Sequence, residues 1–161
     1  MSPDLENDFR KALLEDDEIG IVIRSHLYIE NLLDELLSLL LPFPEEYEEM
    51  NLSYANKVRL VCAAGFDKNF KPMLLALGSI RNKFSHDLNT KIDSELVKDL
   101  HSKMHPIARE GTAKMLSEMA GEKEFKYFQQ HHPRDQFTTI VLNLWVIMNG
   151  AVREAKEYHG V

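Results

Sequence analysis

Residues Asp17 to Leu41 read DEIGIVIRSHLYIENLLDELLSLLL, and the rest of the fold is read outward from them. Val22, Ile29, Leu33, Leu36 and Leu40 recur at steps of three, four and seven, which gathers apolar side chains on one face of a long amphipathic helix. Pro42 and Pro44 end it, because proline lacks an amide and restrains the residue before it. The acidic EEYEEM at 45–50 is expected to be a loop or solvated turn. Upstream, residues 4–15 read as a short, charged helix.

Further along, Ser53 is placed to cap a helix through Ala64, and Gly65 to close it in a left-handed conformation. DKNFKP leads into the next helix, with Pro72 tolerated in its first turn. That helix carries MLLALGSIRNKF, residues 73–84. Asp93 or Ser94 caps another helix through about Met104. Pro106 starts a further turn or helix, which Gly111 and Gly121 weaken. HHPRD at 131–135 reads as a loop. The last long helix carries FTTIVLNLWVIMNGAVREAKEYH, apolar first and charged at its end. The expectation is all-α: one compact helical bundle over residues 1–161, with two long antiparallel helices at Ile19–Leu41 and Gln136–His159.

Composition narrows the function. The 161 residues suit a single domain with a proper core, and 44% hydrophobic with 28% charged residues is ordinary for a globular protein. The net charge of -7 argues against a broad, non-specific nucleic-acid surface, so any such contact is local or depends on a partner. The one cysteine, Cys62, excludes an internal disulfide and fits a reducing compartment; its apolar surroundings read as core. The acidic N-terminus lacks the apolar centre of a signal peptide, and no apolar stretch is long enough to span a bilayer. A cytoplasmic protein without membrane contact is expected.

The chemistry concentrates in SIRNKFSHD, Ser79 to Asp87. Histidine exchanges protons near neutral pH, and arginine stabilises the charge that develops on a phosphoryl group. RNA supplies its own nucleophile, the 2′-hydroxyl, so such a site needs neither metal nor cofactor. On a continuous helix, however, five residues turn by about 500°, or about 140° net, which points Arg81 and His86 apart. They converge only if the helix stops before His86 or a second subunit closes the site. Asn82 and His86, four apart, share a face. A plainer reading is a helix C-terminus whose dipole favours cationic side chains. Arg153 and His159 form a looser pair of the same kind, read as the solvated end of the last helix.

An apolar helix ending in IRNKFSHD, preceded by RSHLYIENLLDELL and LSYANKVRLVCAAGF, resembles the HEPN superfamily. It looks most like the branch containing the mannitol operon repressor-like proteins. Residues 18–90 carry the resemblance. It implies a helical bundle, a homodimer, and an Arg-x4–6-His motif that in catalytic members forms a metal-independent endoribonuclease site across the dimer cleft. Carried over, Arg81 stabilises the scissile phosphate, His86 acts as general base or acid, and Asn82 orients the phosphate or the histidine. RNA and an antitoxin are the implied partners, in a toxin–antitoxin, defence or stress setting. The alternative is a non-enzymatic regulator working through a protein partner. No DNA-binding helix-turn-helix stands out.

Other residues have two readings. His26, Glu30 and Asp34 share a helix face; they line the motif's cleft or form a solvated stripe opposite the leucines. Arg24 and Lys83 could add positive charge to that cleft, or Arg24 pairs with an acid on its own helix. His101 and His105 have zinc-ligand spacing but no third ligand close by, and read as surface histidines. Leu142, Trp145, Val146 and Met148 read as core, or as a dimer surface.

Overall fold

The structure, a computed structural model, describes residues 11, 13, 17–119 and 128–160. Most of the helix expected at 4–15 therefore lies outside the described residues, as does Gly121. The described residues form helices and no strand.

Helix α1 spans Glu18–Leu40. Asp17 caps it, its Oδ1 accepting from the Gly20 amide at 2.7 Å, and Pro42 follows its end. Its buried face carries Ile21, Val22, Ile29, Leu33, Leu36 and Leu37. The acidic segment is not a loop: Pro44–Glu49 form helix α2. Pro44 stands in its first turn, Glu45 and Glu46 lie at its positive end, and Tyr47 buries its ring.

Helix α3 is Tyr54–Ala63. The Phe66 amide donates to the Val61 carbonyl at 3.0 Å and the Gly65 amide to that of Cys62 at 3.4 Å, with Gly65 at φ +119°. This is the glycine-closed ending expected there. Cys62 is half-buried and packs against the core without being fully inside it. A 3-10 turn at Lys68–Phe70 precedes helix α4, Lys71–His86, with Pro72 in its first turn. Helix α5 is Ser94–Ser102, capped by Asp93, which accepts from the Leu96 amide at 2.8 Å. Helix α6, Pro106–Met119, runs through Gly111, where a Cβ would come within 2.7 Å of the Asn143 side chain.

After a 3-10 turn at Phe128–Gln130, helix α7 spans Pro133–His159. It begins inside the expected HHPRD loop, because His132 Nδ1 accepts from the Arg134 amide at 3.3 Å and Pro133 fits the first turn. Helix α1 packs against α7, α3 and α4, and α6 covers another side of α7. Trp145, Leu142 and Met148 are buried in the shared core and Val146 packs against it. Lys156 meets Glu35 at 2.6 Å. That pair ties the C-terminal third of α7 to that of α1, within the compact all-α fold expected. No described helix is long and apolar enough to cross a membrane.

Candidate functional site

The motif rides on α4, and α4 is uninterrupted through His86. Asp87 ends it with an extended backbone, its amide still donating to the Lys83 carbonyl at 3.0 Å. Arg81 and His86 therefore leave α4 in directions about 140° apart around one axis. Arg81 is half-buried; Asn82, Lys83, Ser85 and His86 are exposed. The Arg81 Nη1 donates to Asn82 Oδ1 at 3.1 Å. Among the described residues no carboxylate forms an ion pair with Arg81. Beyond Asp87 the chain is pinned: the Ile92 amide donates to Glu18 Oε2 at 2.8 Å, tying the exit of α4 to the start of α1.

The stripe on α1 grades from buried to open: the Asp34 side chain keeps 38% of its surface exposed and that of Glu30 20%. Helix α3 covers the buried end, where His26 is only 1% exposed. The His26 ring lies on Tyr54, centroids 4.2 Å apart, and its Nδ1 stands 3.6 Å from Glu30 Oε2. Glu30 and Asp34 both hold Lys57, at 3.0 and 2.8 Å, and the Tyr47 hydroxyl donates to Asp34. Tyr54 donates its hydroxyl to the Leu74 carbonyl of α4 at 3.0 Å, its ring lying where a Cβ on Gly78 would stand. Polar groups thus follow one another from α3 to the motif helix.

Electrostatics sort these groups by protonation. Burial, the Arg81 charge and the Lys57 charge push the His26 imidazole down to about 4 against the pull of Glu30, so it is neutral at neutral pH. Burial and the neighbouring Glu30 charge raise the Tyr54 phenol far above its usual range. Burial opposes the charge on Lys57, but its hydrogen bonds to Asp34 and Glu30 outweigh it and hold the amine above its ordinary value. Asp34, Tyr47, Lys57 and Asn51 line an open groove of about 470 Å³ beside α2.

Other sequence candidates fall elsewhere. Arg24 is exposed on α1 and is engaged, not free. His101 and His105 are not free surface groups: His101 stacks on Phe128 at 4.4 Å, and His105 stacks on Phe70 at 4.4 Å and meets Asp67 at 3.3 Å. Among the described residues no three His, Cys, Asp or Glu side chains form a metal-binding group. Arg153 is exposed and reaches Glu157 at 4.0 Å, at the solvated end of α7. Sequence reasoning missed Tyr54, which carries His26 and packs on α4, and Lys57, which holds Glu30 and Asp34; Gly78, a glycine inside a helical pattern, signals the approach of Tyr54. No protein-family model, curated protein or solved structure matches the chain.

Proposed function

We propose that two copies of this chain form a HEPN-like, metal-independent endoribonuclease of the cytoplasm, serving a toxin–antitoxin, defence or stress system. The observation that carries this reading is Arg81. It is a half-buried arginine that forms no ion pair with a carboxylate among the described residues, in a protein of net charge -7, beside exposed Asn82, Lys83 and His86. A guanidinium in that state suits a phosphate. Its helical phase separates it from His86, so the second copy supplies the histidine.

In the proposed reaction Arg81 and Asn82 of one copy hold the non-bridging oxygens of an RNA phosphodiester. His86 of the other accepts the proton of the 2′-hydroxyl as that oxygen attacks phosphorus. The bond from phosphorus to the 5′-oxygen breaks, and that oxygen takes a proton from water. The products are a 2′,3′-cyclic phosphate and a 5′-hydroxyl. Purified protein with RNA and excess chelator tests this: cutting with cyclic-phosphate ends is expected. Arg81→Ala and His86→Ala each reduce it at least a hundredfold without loss of helicity. Cutting that survives either substitution sinks the proposal.

One observation favours a second reading, a non-enzymatic regulator acting through protein contact. Leu88 is 84% exposed, two residues past His86, and would suit a partner's apolar surface. That reading expects no RNA cutting, and loss of a specific complex on Leu88→Asp.

A further inference from the structure

His26 has a neighbourhood that packing alone does not explain. It is buried between α1 and α3, clamped on Tyr54, and its Nε2 has no hydrogen-bond partner. The groups facing it are Glu30 on its own helix, Tyr54 and Lys57 from α3, and Arg81 from α4. Glu30 lies on the Nδ1 side. In the neutral ring the proton is therefore best placed on Nδ1, and Nε2 is left as a bare acceptor. A buried acceptor without a donor is uncommon and calls for a reason. A donor with unused capacity is Arg81, three residues past Gly78 on α4, which itself packs against the Tyr54 ring that carries His26; it has a fork of N–H groups, one of which is on Asn82, and its charge reaches both His26 and Tyr54.

We propose that His26 is a positioning residue for Arg81: when a phosphate is bound, the guanidinium gives one N–H to His26 Nε2 and turns the rest of its fork toward the phosphate. This rests on the phosphate-holding role given to Arg81 above. The exposed bond to Asn82 is then the resting arrangement, and the inward bond the loaded one. An acceptor from the protein on one edge of the guanidinium fixes its plane, which bidentate recognition of two oxygens requires.

The test is nitrogen-15 NMR on full-length protein carrying His86→Ala, titrated with a short single-stranded RNA that stays uncut. The Nε2 resonance of His26 is expected to move from the unbonded to the hydrogen-bonded acceptor position as RNA is added. His26→Phe, which keeps a ring on Tyr54 but removes the acceptor, should weaken RNA binding about tenfold; His26→Gln should restore it to within about twofold. RNA binding with a stationary Nε2 signal overturns the inference, whether or not the Phe variant folds, and so does wild-type affinity in a folded His26→Phe protein. A different outcome marks failure of the underlying function: if wild-type protein binds no RNA, or Arg81→Ala binds as well as wild type, Arg81 holds no phosphate and the positioning role falls with it.

Discussion

Protonating His26 would place a buried cation beside Arg81 and Lys57. Its ordinary value of 6.5 applies to the unfolded chain, and about 4 to the folded one. The contribution to stability is therefore complete above pH 6.5. It declines as the unfolded chain takes up the proton between 6.5 and 4, and levels off below, for a total loss of roughly 3 kcal/mol. Urea unfolding at pH 7.5 and 4.5 should show this as a fall in midpoint that is larger in wild type than in His26→Gln. A sequence gives the spacing of His26, Glu30 and Asp34 but not what lies over them. The same spacing serves a wet stripe or a covered one, and α3 arrives from more than twenty residues away to decide. His105 was misread for a related reason: it lies just before Pro106, outside any helix, and its sequence neighbours do not show that Phe70 and Asp67 meet it.

At the level of elements, the bond between α3 and α4 depends on a missing side chain. A Cβ on Gly78 would stand 2.7 Å from the Tyr54 ring, which cannot retreat easily while its hydroxyl holds Leu74 and its face holds His26. Gly78→Ala gains up to about 1 kcal/mol of helix propensity but overpacks the seam at a cost of about 1–3 kcal/mol. Net destabilisation is expected by chemical denaturation, and it should shrink in a Tyr54→Leu background. Most helices were legible, since apolar periodicity, Pro42, Gly65, Pro72 and Asp93 each mark a boundary by local physics; Ser53 stands at the expected start of α3 without a side-chain capping bond. Helix α2 was not: four glutamates around one tyrosine read as solvent-facing until Asp34 accepts the tyrosine's hydroxyl. The start of α7 was missed because a histidine cap is an uncommon signal, and Pro133 reads equally as a breaker or a first-turn residue.

For the whole molecule, the uninterrupted α4 makes the proposed activity a property of a pair. Arg81→Ala and His86→Ala chains, each inactive alone, should complement one another when mixed and allowed to exchange. Half of the pairs formed are mixed and one of their two sites is whole, so about a quarter of wild-type cutting is expected. A mixture as inactive as its components excludes a site shared between copies. The motif was legible as residues, and so were the two ways of closing it, an early helix end or a second subunit; the run of α4 through His86 removes the first. The bond from the Ile92 amide to Glu18 has its own consequence. It anchors the far side of the short connection after Asp87, so extra residues spliced between Leu88 and Asn89 should bulge outward and leave both flanking rods where they are. A reporter peptide grafted there would sit at the mouth of the proposed site without disturbing its frame.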